Sequence, residues 1–149
     1  MPTANEKLQT AAIDHSHDII RYQNQLVYKV IALLNRTDVD LVAQLTAALQ
    51  QLPVSQFTVE RLDSLLASVR QINAAAYQKI RHELQTELAD LVAYEQGYQA
   101  QLFQNTLPVT FEVAAVPVAQ VVSSAMARPF QGRLLSEWMA GLEAEKSAK

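Results

Sequence analysis

The fold is decided by residues 58–106, TVERLDSLLASVRQINAAAYQKIRHELQTELADLVAYEQGYQAQLFQNT, which contain no proline and a single glycine, Gly97. Scarcity of these two helix breakers favours an uninterrupted helix. Apolar residues also recur every eleven positions along the stretch, at Val69, Ile80, Leu91 and Leu102. An eleven-residue repeat keeps an apolar stripe nearly straight rather than winding it to the left. The stretch therefore predicts one very long helix of roughly 70 Å.

A second helical stretch precedes it, beginning at TANE, where Thr3 and Glu6 have the spacing of a capping box. Two neighbouring apolar rows follow. The first row contains Leu8, Ala12, Ile19, Leu26, Val30 and Leu33, and the second has a seven-residue spacing, at Ile13, Ile20, Val27 and Leu34. Because the combined stripe is wide, we expect this helix to contact more than one neighbour.

We expect this first helix to end near Asn35 and a shorter helix to follow. Thr37 is a suitable N-cap, and Asp38 and Asp40 would lie at the positive end of the helix dipole. Pro53 would close this second helix, since proline cannot continue the hydrogen-bond ladder.

The segment after residue 106 carries few charges, and Glu112 is the only charged side chain between Gln96 and Ala127. Its prolines predict a short extended or broken segment near 107–117, followed by a short helix and, from about Leu134, an amphipathic C-terminal helix. A buried core or a protein contact surface explains such a segment better than a membrane span, because polar residues interrupt it.

Composition points in the same direction. The chain has 149 residues, a net charge of −3, three glycines and no cysteine. The acidic balance argues against a protein that coats nucleic acid, and the absence of cysteine excludes disulfide scaffolds and thiol catalysis. We predict an all-α fold, an elongated helical hairpin or bundle. Its expected division is 1–106, the long-helix hairpin, and 107–149, the uncharged docking segment with the C-terminal helix.

Candidate catalytic and metal-binding residues are few. Asp14 and His17 have the three-residue spacing of carboxylate-bridged metal sites in bundles, but no second Glu-x-x-His motif accompanies them. His82 lies in a charged run typical of a solvated helix face. We therefore predict no catalytic residue, no metal site and no cofactor, and the protein is not expected to be an enzyme.

The C-terminal stretch ARPFQGRLLSEWMAGLEAEK, residues 127–146, resembles a segment of the Mu F-like head-morphogenesis, or minor head, proteins of tailed bacteriophages. The family pattern has an apolar residue, a spacer and glycine, then a helix patterned Leu-x-x-Trp-x-x-x-Leu. The matching positions here are Phe130, Gly132, Leu135, Trp138 and Leu142. Members continue well beyond this helix, so the resemblance implies that this chain is the N-terminal portion of a longer protein.

The resemblance implies a structural virion protein, a minor head component that binds other virion proteins at the portal or head–tail connector, in an oligomer or in several copies. It would be found in the virion, and in the host cytoplasm during assembly, without sequence-specific nucleic-acid binding. The expected interaction residues are Val113, Val116, Val118, Val121, Val122, Phe130, Gly132, Leu135, Trp138 and Leu142. The alternatives are a DNA-ejection protein that contacts the host envelope and its membrane, a helical bacterial adaptor, and a metal-binding bundle.

Overall fold

The structure is a computed structural model that describes residues 1–51, 58–107, 112 and 114–149. Four helices form within these ranges: α1 (Ala4–Gln50), α2 (Val59–Thr106), α3 (Val118–Met126) and α4 (Leu135–Ala148). The described residues contain no strand. The predicted all-α fold is confirmed, and so is the very long helix, since α2 has 48 residues.

The predicted capping box at the start of α1 is present. The backbone N–H of Thr3 donates to Glu6 Oε2 at 2.7 Å, and the backbone N–H of Glu6 donates to Thr3 Oγ1 at 3.3 Å. The Thr3 backbone bond holds the pKa of the Glu6 carboxyl below its ordinary value. The reciprocal bonds satisfy N–H groups that a helix leaves free at its N-terminus.

The predicted helix end near Asn35 is wrong, because α1 continues through this region to Gln50. Thr37 does not cap a new helix; its Oγ1 donates to the Leu33 carbonyl at 2.9 Å, one turn back within the same helix. A threonine can make this bond inside a helix as well as a cap bond at its start, so its presence does not decide between them. Asp38 instead pairs with Lys146 of α4. Pro53, the expected end of the second helix, lies outside the described residues.

The inward-facing positions of α1 follow spacings of three, four and four residues. This inner row is half-buried and consists of Leu8, Ala11, His15, Ile19, Tyr22, Leu26, Val30, Leu33, Thr37, Leu41, Leu45 and Ala48. One cycle spans eleven residues, as from Leu8 to Ile19 and on to Val30. The inner row of α1 therefore has the same eleven-residue period that the sequence shows in α2.

The chain divides into two compact units. Unit 1 combines Met1–Tyr28 with Leu84–Arg128, and unit 2 combines Lys29–Glu83 with Pro129–Lys149. Each unit thus holds one part of α1, one part of α2 and one short helix, whereas the composition of the sequence changes at residue 106.

In unit 1, α1 and α2 run antiparallel, because later residues of α1 contact earlier residues of α2. The Tyr98 hydroxyl donates to the Ala11 carbonyl at 3.0 Å, whereas the Tyr22 hydroxyl donates to the Glu87 carbonyl at 2.8 Å. Val92 is the buried apolar residue of this unit among those described.

In unit 2, the short helix α4 contacts both long helices. Asn73 of α2 is fully buried, and its Nδ2 donates to Ser147 Oγ at 3.2 Å. Lys146 of α4 forms an ion pair with Asp38 of α1. Ile80, which is 3 % exposed, is the buried apolar residue of this unit among those described.

Candidate functional site

The expected interaction residues are divided between the two units. Val113 lies outside the described residues. Four of the others belong to unit 1: Val116, Val118, Val121 and Val122. Five belong to unit 2: Phe130, Gly132, Leu135, Trp138 and Leu142.

In unit 1, the interaction residues border one face of α2. The Val116 carbonyl accepts a hydrogen bond from Gln96 Nε2 at 2.6 Å, and the Val116 side chain is half exposed. The short helix α3 follows Pro117, as predicted, and its valines 118, 121 and 122 are half-buried. Val116 and Val121 line a groove of about 500 Å³ together with α2 residues between Leu91 and Phe103. These residues therefore pack on α2 and also leave an apolar groove open.

In unit 2, the interaction residues form a tight turn that precedes α4. Phe130 and Arg133 exchange backbone hydrogen bonds of 2.8 and 3.1 Å. Between them, Gln131 and Gly132 have φ angles of 50° and 77°. Both residues thus adopt the left-handed conformation, which glycine accepts without steric cost.

Trp138 holds this Phe130–Arg133 turn against α4. Its Nε1 donates to the Phe130 carbonyl at 3.0 Å, and the Arg133 guanidinium lies 5.2 Å from the centre of the Trp138 ring. The Phe130 side chain is nevertheless 68 % exposed, and Leu142 on α4 is 47 % exposed. The turn therefore presents an aromatic side chain to solvent on a rigid backbone.

A second exposed apolar surface lies on α1 in unit 1. The outer row, defined as Ile13, Ile20 and Val27, consists of side chains that are 53 to 55 % exposed. These residues recur every seven positions, whereas the inner row of the same helix recurs every eleven. The seven-residue spacing was visible in the sequence, but only the structure separates this row from the buried one.

A polar and aromatic cluster joins α1 to α2 on the inner side of unit 1. The His15 ring stacks on the Tyr98 ring with centroids 3.9 Å apart and planes within 7°. His15 Nε2 lies 2.5 Å from Glu95 Oε1, and the His15 side chain is 11 % exposed. His15 Nδ1 is buried and has no hydrogen-bond partner among the described residues. Sequence reasoning placed no role on His15.

Tyr22 forms the next contact along the same pair of helices. Its hydroxyl donates to Glu87 Oε2 at 2.6 Å as well as to the Glu87 carbonyl. Burial raises the pKa of the Tyr22 phenol, and the hydrogen bond to the Glu87 carboxylate raises it further, since ionisation would place two negative charges together. Such contacts help to set the register of the antiparallel helices in unit 1.

The residues considered as metal ligands, Asp14 and His17, both lie on α1. His17 is exposed on α1, and no three His, Asp or Glu side chains within the described ranges come together as metal ligands.

No helix in the described part of the chain is both long and apolar enough to cross a bilayer.

Comparisons with known proteins do not extend this description. The chain matches no family model, no curated protein and no solved structure.

Proposed function

We propose that this chain is a structural virion protein of a tailed phage, a minor head component that binds other virion proteins at or near the portal during head assembly. The phage assignment rests on the resemblance of residues 127–146 to the Mu F-like proteins. The protein-binding role rests on the exposed apolar side chains of the helices.

The outer row of α1 is the observation that carries the protein-binding role. Full burial of an Ile or Val side chain contributes about 1.5–3 kcal/mol relative to exposure, and here three such side chains remain more than half exposed. Seven residues are close to two turns of an α-helix, so Ile13, Ile20 and Val27 lie on nearly the same side of α1 and one partner helix can contact all three. A helix from another virion protein would cover this row.

The Phe130–Arg133 turn supports the same role from unit 2. Aromatic and arginine side chains are enriched at the centres of protein interfaces, and a side chain held on a rigid backbone loses little conformational entropy on binding. Phe130 and Arg133 have this chemistry, and Trp138 fixes the backbone that carries them.

Site-specific crosslinking tests the proposal. A photoreactive amino acid would replace Ile20 of the outer row in the phage genome that encodes the chain. A matched variant would carry it at Gln25, an exposed α1 residue outside the row. We expect the chain to occur in purified particles and to crosslink to another virion protein from position 20 but not from position 25.

Two results would count against the proposal. Absence of the chain from purified heads and head precursors, by mass spectrometry, would overturn the virion role. Equal crosslinking from positions 20 and 25 would show that the outer row is not the contact surface.

A further inference from the structure

The two long helices of unit 1 carry the same short pattern where they meet. Residues 18–22 of α1 are DIIRY, and residues 90–94 of α2 are DLVAY. Each begins with aspartate, continues with two aliphatic residues and ends with tyrosine. The first, second and fifth residues of each pattern line one groove of about 350 Å³, which we term the Asp–Tyr groove. Its lining residues are Asp18, Ile19, Tyr22, Asp90, Leu91 and Tyr94.

Because the helices are antiparallel, the Asp–Tyr groove has an approximate two-fold symmetry. The aspartate of one helix lies at the same end as the tyrosine of the other. Accordingly, the Asp90 carboxylate contributes to the raised pKa of Tyr22. Four residues of helix separate the two ends, which corresponds to about 6 Å. Ile19 and Leu91 form the apolar surface between them.

The electrostatics of unit 1 favour a cationic occupant. The unit carries seven carboxylate side chains against three basic ones, a net charge of −4, whereas unit 2 carries eight against nine, a net charge of +1. A tyrosine ring attracts a cation over its face, and a carboxylate beside it adds a direct charge interaction. Asp18 already pairs with Arg21 at 3.6 Å, but this ion pair is exposed to water and therefore contributes little, so a cation in the groove can replace it. The methylene groups of lysine or arginine would cover Ile19 and Leu91.

We propose that the Asp–Tyr groove binds a helix of a partner protein that presents two basic side chains four residues apart. One helical turn separates those side chains by about 6 Å along the helix, which matches the separation of the two aspartate–tyrosine ends. This proposal rests on the proposed assembly role and specifies the chemistry of one partner helix.

Unit 2 already contains an interaction of this kind. Its third helix, α4, places Lys146 against Asp38 of α1. A basic side chain from a third helix thus pairs with an α1 aspartate within the chain itself. In unit 1, we assign the corresponding role to a helix from outside the chain.

A second copy of this chain does not supply the required helix. None of its twelve Lys and Arg residues is four positions from another in the sequence. Lys146 and Lys149 are three positions apart, and both already form ion pairs, with Asp38 and Glu145. Residues 1–149 therefore contain no basic pair with this spacing, and we assign the occupant to a helix of a partner protein.

The test uses the full chain and a labelled, designed amphipathic helical peptide of about 18 residues with two arginines four positions apart. Fluorescence anisotropy would measure its binding at low salt. Asp18→Asn combined with Asp90→Asn should weaken binding by about tenfold or more, since both charge contacts are removed. The matched control, Asp14→Asn with Glu112→Gln, removes two charges from the same unit and should change binding less than about twofold.

Further peptides and a competitor complete the design. Replacing both arginines by neutral citrulline, or moving them to opposite faces of the peptide, should abolish the difference in affinity between the wild-type chain and the variant with Asp18→Asn and Asp90→Asn. The proposal is overturned if the citrulline peptide binds equally well, if the control variant loses as much affinity as the groove variant, or if the wild type does not bind the arginine peptide. Displacement by an equal concentration of putrescine would also overturn it, since the groove would then be a site for small diamines.

The outcomes separate this proposal from the assembly role. Loss of peptide binding with retained crosslinking from position 20 would remove only the assignment of the groove. Absence of the chain from particles would remove the virion role without altering the peptide measurements.

Discussion

Unit 1 and unit 2 are built from the same two helices but differ in what covers them. In unit 2, the 14-residue helix α4 binds both long helices, and Asn73 and Ile80 are buried. In unit 1, the third helix α3 has nine residues, and the outer row of α1 and the Asp–Tyr groove stay open. The two units therefore differ in the length of the third helix that the chain provides and in the contacts that this helix makes with the long helices.

The largest expected effect is a difference in stability loss when one isoleucine in each unit is replaced by alanine. Ile80→Ala should lower the free energy of unfolding by about 2–5 kcal/mol, because it leaves a cavity beside a side chain that is 3 % exposed. Ile20→Ala should cost less than about 1 kcal/mol, because Ile20 is 54 % exposed. Urea unfolding monitored by circular dichroism would measure both. Equal losses would mean that the outer row is buried in solution.

Glycine-to-alanine substitutions should change the free energy of unfolding in opposite directions in the two units. Gly132→Ala should destabilise by roughly 1–2 kcal/mol, because its φ of 77° is unfavourable for a residue with a Cβ. Gly97→Ala, within α2 of unit 1, should stabilise by about 0.5–1 kcal/mol, since nothing lies within 4 Å of the added Cβ. Thermal unfolding of the two variants would check this. A stabilising Gly132→Ala would contradict the left-handed turn.

Two side-chain hydrogen bonds, one from α2 to α4 and one from α2 to Val116 just before α3, should differ in their contribution to the free energy of unfolding. Ser147→Ala should cost about 1 kcal/mol, because it removes the acceptor for the amide of the fully buried Asn73. Gln96→Ala, which removes the donor to the Val116 carbonyl, should cost less than about 0.5 kcal/mol, because that contact is exposed to water. Denaturant unfolding of both single variants would measure the difference, and a larger loss for Gln96→Ala would contradict it.

The smallest expected effect is the pH dependence that the Tyr22 contact adds to the stability of unit 1. The pKa of Tyr22 is raised in the folded state above its ordinary value of 10.0, so its contribution to stability is complete below pH 10 and is lost as the pH rises further. Tyr22→Phe should therefore show a shallower loss of thermal stability than the wild type above pH 10. Parallel slopes for the two proteins would show that the Tyr22–Glu87 contact does not form.

Local signals predicted much of the helical structure. The capping box of Thr3 and Glu6 formed as expected, and the absence of proline in residues 58–106 correctly predicted α2. The same kind of signal failed at Thr37, because a threonine satisfies its hydroxyl either at a helix start or against the carbonyl four residues back. The sequence alone does not show which of these two hydrogen bonds Thr37 makes.

The candidate sites were less predictable than the helices. Phe130, Gly132 and Trp138 were each expected to be interaction residues, and Trp138 of α4 binds the turn that contains the other two. Their role in binding stays a prediction. The Asp–Tyr groove was not foreseen, because Asp18 and Asp90 are 72 positions apart and only antiparallel packing brings their patterns together.

The helical class, the long α2 and the eleven-residue period follow from the amino-acid sequence, because helix breakers and apolar spacing act on neighbouring residues along one chain. Tertiary contacts determine that α1 is continuous, that one apolar row is half-buried while the other is exposed, and that two distant Asp-x-x-x-Tyr patterns share a groove. These outcomes depend on which helix faces meet. Contacts between residues far apart in the chain select those faces.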